Sequence, residues 1–360
     1  MRTEIKTAIA CVLIISIGII GISIYYNDIE LQGNTTNNIQ TDDKSQLKKA
    51  PNVFDETEYI NISKNELKNA IKGKVVLYDI WTYSCINCIR TLPYIVDWAE
   101  KYDDGLIIIG IHTPEFEFEK NVENVSQAVE KFGINYPVIL DNEKDIWNAF
   151  ENKYWPRKYI ADHDGYIRYD HIGEGAYKET EQVIQKLLQE RAESLDVTNN
   201  VLQLTELSEF EHASFRTPEL YFGYKFASGR NQLGNENGFN PEMIIDYKIP
   251  VETKQNYFYL DGKWKNTKDS MNLVSDYGLI LLKYNAKQVN IVASNNSKLE
   301  ITVDGEPIPQ YMIGTDLVQN QISVSEPRLY NIINSNNNES HELIIKVKGS
   351  GFEIFTFTFG

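Results

Sequence analysis

Val75–Pro93 reads VVLYDIWTYSCINCIRTLP, and the order of residue types in this stretch decides the fold. Val75–Trp81 is an apolar run of strand type that feeds a short polar turn. Cys85 and Cys88, two residues apart, then open a helical stretch that carries Pro93 inside it. A disulfide needs Cα atoms roughly 4.4–6.8 Å apart, a spacing that CxxC in the first turn of a helix allows. The unpaired amides and positive dipole end found there favour thiolate over thiol. Cys85 is therefore expected as the exposed attacking nucleophile. Cys88, more buried, is expected to resolve the mixed disulfide. Asp79, at the end of the strand, is placed to take the resolving thiol's proton from beneath the dithiol. Its other reading is a strand-end carboxylate facing solvent.

Other uses of two cysteines fit this context less well. A c-type haem site needs His directly after the second Cys, and Ile89 stands there. A structural zinc site needs two more ligands, yet the only other cysteine is Cys11, inside an apolar N-terminal run. His112, His163, His171, His212 and His341 are scattered and form no HExxH or HxH pair. An inert structural disulfide is the remaining alternative, and the strand–turn–helix context favours the redox site over it.

WTYSCINCIRTLP, followed by GLIIIGIHTPEF, NYPVILD, YWPRKYIADHDGYIRYDHIGEG and a terminal helix, resembles the extracytoplasmic thioredoxin-like proteins of the TlpA/redoxin group. In particular it resembles the C-terminal part of DipZ-type proteins, over about Pro51–Glu190 and more weakly to Gly360. The resemblance implies a cis-proline facing the dithiol, at Pro156, with the backbone of Trp155 pairing with substrate. Trp81, at the end of the central strand, is grouped with them as substrate-binding. Asp79 matches the buried acid of thioredoxins. No cofactor or metal is implied beyond a redox-active Cys85–Cys88 disulfide, and the implied substrates are protein disulfides.

The chain has 360 residues, 42% of them hydrophobic and 12% aromatic, enough for two or three domains with sizeable cores. A net charge of −16 argues against nucleic acid or anionic membrane surfaces as partners. Ala8–Tyr26, preceded by Arg2 and Lys6, has the length of a single membrane-spanning helix with a cytoplasmic N-terminus. A cleaved signal peptide competes, but Tyr25-Tyr26-Asn27-Asp28 offers no small-residue cleavage site. The expectation is an anchor over 1–27, a flexible tether over 28–50 and an extracytoplasmic remainder, where disulfide chemistry is at home. The localisation implied is a single-pass membrane protein.

The redox domain is expected over 51–192. It should hold an edge strand at Glu58–Ile62, a helix at Lys64–Ile71, a buried parallel strand at Gly105–His112 and a helix at Glu117–Phe132. Short strands follow at Val138–Asp141, Lys158–Ala161 and Tyr166–His171, with a turn at Asp162–Gly165 between the last two. A helix over Glu143–Phe150 and an amphipathic helix over Tyr177–Arg191 complete an α/β thioredoxin-like domain, a central mixed sheet with helices on both faces. His163 and Asp164 belong to the turn. His112 and Arg90 lie close enough to tune the dithiol, and Arg90 has the alternative of a solvated helix face. Glu174, in Gly173-Glu174-Gly175, is read as part of a turn.

Residues 193–216 read as an interdomain linker. From Thr217 the pattern changes class, with short alternating runs between turn signals such as Asp261-Gly262 and Asp304-Gly305. This is the signature of an all-β sandwich or jelly roll over 217–360. TPELYFGY, LDGKW, AKQVNIVAS, VDGEPI, RLYNII and FTFTFG resemble the carbohydrate-binding-module-like domain appended to DipZ-type proteins. Trp264, Tyr224 and Tyr311 are the aromatics that could stack on a sugar. DipZ-type proteins carry a multi-helix electron-conducting membrane domain ahead of this region. Here one helix stands in its place, which implies a separate membrane electron donor of CcdA/DsbD type.

The leading expectation is thus a membrane-anchored thiol–disulfide oxidoreductase, with reduction the favoured direction. A redoxin-type thiol peroxidase is the second reading, disfavoured by a second Cys only three residues on. A surface-tethered binding protein acting through the β domain is the third. Asn34, Asn61, Asn124, Asn295 and Asn338 occupy Asn-x-Ser/Thr sites.

Overall fold

The computed structural model describes residues 44–56, 58–198, 202–210, 216–230 and 232–360. The expected membrane helix at Ala8–Tyr26 and the tether up to residue 43 lie outside the described residues. Among the described residues no helix is long and apolar enough to cross a membrane.

The first domain is a six-stranded mixed sheet in the order β1-β4-β3-β2-β5-β6. These strands are β1 (Tyr59–Ile60), β2 (Val75–Trp81), β3 (Leu106–His112), β4 (Val138–Leu140), β5 (Arg157–Ala161) and β6 (Ile167–Ile172). Every residue of β2 is buried, as its unbroken apolar pattern requires of a central strand covered on both faces. It runs parallel to β3 and antiparallel to β5. One face packs on α1 (Lys64–Ala70) and α4 (Asp145–Ala149) through Leu67, Ile146 and Trp147. The other is covered by α2 (Ile86–Lys101), α3 (Val122–Lys131) and α5 (Tyr177–Leu195) through Leu92, Ile95, Trp98, Val125, Ile184 and Leu187. Ser63 caps α1 in a capping box with Glu66.

Three boundaries differ from the sequence reading for local reasons. The helix expected over Glu117–Phe132 is two pieces, a 3-10 turn at Glu117–Lys120 and α3, because Asn121 adopts extended backbone and caps α3 with its own side chain. The tether is tied down from Lys44: its ammonium pairs with Asp162 and Asp164, and the Ala50 amide donates to the Gly165 carbonyl. Within the expected linker, 193–195 extend α5, and residues 202–210 strap α2 rather than spanning open solvent. Thr205 binds Asp97 and Glu181, and the Tyr94 hydroxyl donates to the Leu207 carbonyl.

From Leu220 the chain is β-rich. Hydrogen bonds join its strands into one antiparallel sheet around a large apolar core. In chain order these are β7 (Leu220–Tyr221), a single turn of helix α6 (Tyr224–Ala227), β8 (Ile244–Tyr247), β9 (Tyr257–Asn266), β10 (Met271–Leu273), β11 (Tyr277–Ser294), β12 (Ser297–Val303), β13 (Glu306–Pro307), β14 (Gln321–Val324), β15 (Arg328–Lys348) and β16 (Glu353–Phe359). Expected runs merge into long strands: Gly278–Tyr284 and Gln288–Ala293 are both β11. Asp261-Gly262 is no turn. Gly262, at φ 100°, sits inside β9 with a Cβ position only 3.0 Å from the Tyr277 carbonyl oxygen, so only glycine fits that strand. Asp304-Gly305 does turn, with φ of 53° and 82° at the tip of β12–β13. Trp264 is wholly buried and donates its Nε1 to the Asp261 carbonyl, which removes it from the sugar-stacking candidates; Tyr311 is exposed.

The two domains are in contact. Phe116 and Phe118 of the first pack on Phe355 of the second at ring-centre distances of 5.2 and 4.7 Å. The Tyr83 hydroxyl donates to the Pro327 carbonyl, and the Arg90 guanidinium donates to Gln288.

Candidate active site

Cys85 is the N-cap of α2. Its backbone is extended, its Sγ accepts from the Cys88 amide at 3.4 Å, and its own amide donates to the Thr82 carbonyl. Cys85 is half-buried and Cys88 is 1% exposed, the asymmetry that an attacking and a resolving sulfur require. Both are free thiols. Burial pushes the Cys88 thiol well up, and the neighbouring Cys85 adds to the effect. Pro93 lies one and a half turns further along α2, inside the helix.

Asp79 is 1% exposed, beneath the dithiol rather than facing solvent, and one of its carboxylate oxygens has no hydrogen-bond partner. Burial raises its pKa to about 6, opposed by the Lys158 ammonium. Lys158 faces it directly in the β2–β5 register, is itself fully buried and donates to the Gly173 carbonyl. Nothing in the sequence pattern flagged Lys158; it sits two residues past Pro156 in what reads as an ordinary strand.

The Trp155–Pro156 peptide bond is cis. The Trp155 ring stacks on Trp147 at 4.1 Å, and its Nε1 donates to the Thr113 carbonyl. Among the described residues neither backbone polar group of Trp155 has a partner, which leaves an edge on which an extended chain could pair. Trp81 differs from expectation. It is 0% exposed, packs edge-on against His112, and lies tight against Gly110, whose Cβ site would be 3.0 Å from the indole Nε1. Trp81 is therefore a core residue under the site, with no surface to offer a substrate.

The turn between β2 and Cys85 is held by a residue that the sequence reading missed. Glu119, wholly buried, accepts hydrogen bonds of 2.6 Å from both the Thr82 and the Ser84 hydroxyls. Its other oxygen accepts the Glu115 and Phe116 amides. Four donors converge on one carboxylate, and Ser84 is the residue before the nucleophile. In sequence Glu119 is one of four acids in an apparent surface helix, so no signal marks it. His112 lies beside this turn, stacked on Tyr83, and burial drives its pKa down to about 3, so it stands neutral. Arg90 is not on a solvated face, and its charge interacts favourably with that of a Cys85 thiolate. It stacks on Phe210 at 3.7 Å and pairs with Glu174 at 3.6 Å, joining α2, the strap and the Gly173–Gly175 turn. His163 and Asp164 belong to the turn, as expected.

Cys85 opens into a cavity of about 200 Å³ whose far wall is the β domain, including Pro218, Glu219, Tyr221 and Phe359. Glu115, Trp155 and Arg216 complete its rim. Among the described residues no three His, Cys, Asp or Glu side chains are gathered as a metal site. The arrangement sets a half-buried thiol at a helix N-terminus, a buried thiol one turn on, a carboxylate beneath them and a backbone edge beside them.

Two family models match this chain: "Redoxin" over residues 48–188 and "Thioredoxin like C-terminal domain" over residues 217–360. Protein DipZ of Mycobacterium bovis is 32% identical over 315 residues, which is 86% of this chain and 43% of DipZ. The chain thus spans less than half the length of that relative. Thiol-disulfide oxidoreductase YkuV of Bacillus subtilis is 26% identical over 142 residues, 39% of this chain and 94% of YkuV. The solution structure of a thioredoxin-like protein in the oxidised form covers 41% of the chain at 25% identity with a TM-score of 0.37, too partial a likeness to carry weight. Residues 48–188 are thus a redoxin-type domain and residues 217–360 a thioredoxin-like C-terminal domain, and the stretch that holds both is similar to DipZ.

Proposed function

We propose that the protein reduces disulfides through the Cys85–Cys88 dithiol. The observation that carries this reading is the pairing of an accessible Cys85 at the α2 N-cap with a buried Cys88 one turn on. Cys85 thiolate attacks a substrate disulfide and forms a mixed disulfide. Asp79, with a pKa near 6, accepts the Cys88 proton at neutral pH, and the Cys88 thiolate attacks Cys85. The substrate is released as a thiol, and the protein is left with a Cys85–Cys88 disulfide. The cis Trp155–Pro156 segment holds the substrate chain by its backbone, while Trp147 and Thr113 fix the Trp155 ring.

We propose further that Ala8–Tyr26 anchors the chain in the cell membrane with both domains outside, on the strength of its apolar length and the preceding Arg2 and Lys6. Electrons would then reach the disulfide from a separate membrane donor of CcdA/DsbD type, and protein disulfides would be the substrates. The β domain is proposed to be a two-layer sandwich, with β11 and β15 passing from one layer to the other.

The test is reductive turnover of a peptide disulfide by the full-length chain in detergent, against Cys85→Ser. Turnover lost in Cys85→Ser supports the reading. Equal turnover in both, or peroxide consumption exceeding disulfide reduction, rejects it.

A further inference from the structure

The β domain places a tyrosine at the dithiol cavity whose hydrogen bonds do not balance without an extra proton. The Tyr221 hydroxyl lies 2.8 Å from a carboxylate oxygen of Glu115, in the redox domain, and 2.8 Å from one of Glu219, in the β domain. A phenol has one hydrogen to give, and an ionised carboxylate has none. Both contacts are hydrogen bonds only if one carboxyl is protonated and donates to the phenol oxygen. All three residues line the cavity into which Cys85 opens.

The surroundings favour a held proton. Burial pushes both carboxyls up, and the charge of Glu219 adds to the effect on Glu115. The groups facing the trio are Glu119 and Lys144 from the first domain, and Arg216 and Arg230 from the second. The Arg230 guanidinium lies 4.7 Å from the Tyr221 ring centre. Three cations and a shared proton thus keep paired acids at the contact between the domains.

We propose that Glu115, Tyr221 and Glu219 exchange the proton of the substrate thiol at this dithiol, so that the β domain completes the redox site. The inference rests on the thiol–disulfide reading. The Cys85 thiol gives its proton to the ionised carboxylate of the trio. Its thiolate then forms a bond to one substrate sulfur as the substrate S–S bond breaks. The first product leaves as a thiolate within this cavity and takes that proton. Cys88, deprotonated by Asp79, then bonds to the Cys85 sulfur and breaks the mixed disulfide. The second thiolate takes the proton the trio already shared, which the proton released by Asp79 replaces through solvent. Two electrons and two protons pass from dithiol to substrate, and no further reductant enters.

The test uses the full-length chain with two disulfides of similar size, differing in the acidity of the thiol released. Oxidised glutathione releases an alkyl thiol that must be protonated. Dithiobis(nitrobenzoate) releases an aromatic thiolate stable without a proton. Glu219→Gln and Tyr221→Phe should lower kcat/KM for oxidised glutathione by about tenfold or more, and for the aromatic disulfide by less than about twofold. The rate of Cys85 alkylation by iodoacetamide checks that the nucleophile remains accessible. An equal fall on both substrates would assign the trio a purely structural role, and no change on either would leave it idle; both results overturn the proposal. If Cys85→Ser retained activity, the underlying thiol–disulfide reading would fail instead, a distinguishable result.

Discussion

Replacing Asp79 by Asn should stabilise the reduced protein at neutral pH while impairing it as an enzyme. Asp79 is 1% exposed, and burial raises its pKa from 3.8 to about 6. At about 1.4 kcal/mol per pKa unit, ionising it in the folded state costs about 3 kcal/mol relative to the unfolded chain. The sign follows from proton counts. Between pH 3.8 and about 6 the folded state binds the extra proton, so this group's contribution falls as pH rises through that window and stays low above it. Lys158 limits the gain, because removing its counter-charge leaves a buried ammonium, itself held below its ordinary pKa by burial. The net stabilisation of Asp79→Asn should therefore be about 1–3 kcal/mol at pH 8 and close to zero at pH 4. Urea unfolding of the reduced chain at the two pH values, followed by tryptophan fluorescence, measures it. A stabilisation of equal size at both pH values, or a loss at pH 8, would refute the argument from buried charge.

Cys88→Ser should leave Cys85 able to attack but unable to be released, so a mixed disulfide with substrate accumulates and is visible as a mass shift; its absence would remove Cys88 from the resolving role. Glu119→Gln keeps the shape but replaces one acceptor oxygen by an NH₂ aimed at donors, either the Thr82 and Ser84 hydroxyls or two amides. It should cost about 2–3 kcal/mol in denaturant unfolding and slow Cys85 alkylation as the turn loosens. Phe355→Ala, at 5% exposure against Phe116 and Phe118, should weaken domain docking by about 3 kcal/mol. A rise in radius of gyration by small-angle scattering checks it, and an unchanged radius would mean that the polar contacts hold the domains together without Phe355.

What the sequence made legible is what is local. CxxC after an unbroken apolar strand specifies Cys85, Cys88 and the surrounding β2–α2 unit, because strand burial and a helix start are both written in adjacent residues. Asp79 and Pro156 were readable through a resemblance, since each stands at a fixed place in the same pattern. Glu119, Lys158 and Tyr221 were not readable, because their roles arise only when distant elements meet. Glu119 lies 35 residues from Ser84, and Tyr221 lies 106 residues from Glu115. The same limit explains Trp81 and Trp264. An aromatic near a site reads as a contact surface until the packing around it is known, and here both rings are enclosed. Asp261-Gly262 misled for the converse reason. A turn dipeptide is absorbed into β9 because Gly262 tolerates φ 100° against a neighbouring carbonyl.

The most direct test of the account is the thiol–disulfide equilibrium of the full-length chain in glutathione and dithiothreitol buffers, read by alkylation of Cys85 and Cys88. The account predicts a reversible two-electron transition in the folded protein, near roughly −270 mV for a reductase and absent in Cys85→Ser. A pair that cannot be cycled without unfolding the chain would make the disulfide structural and contradict the central claim.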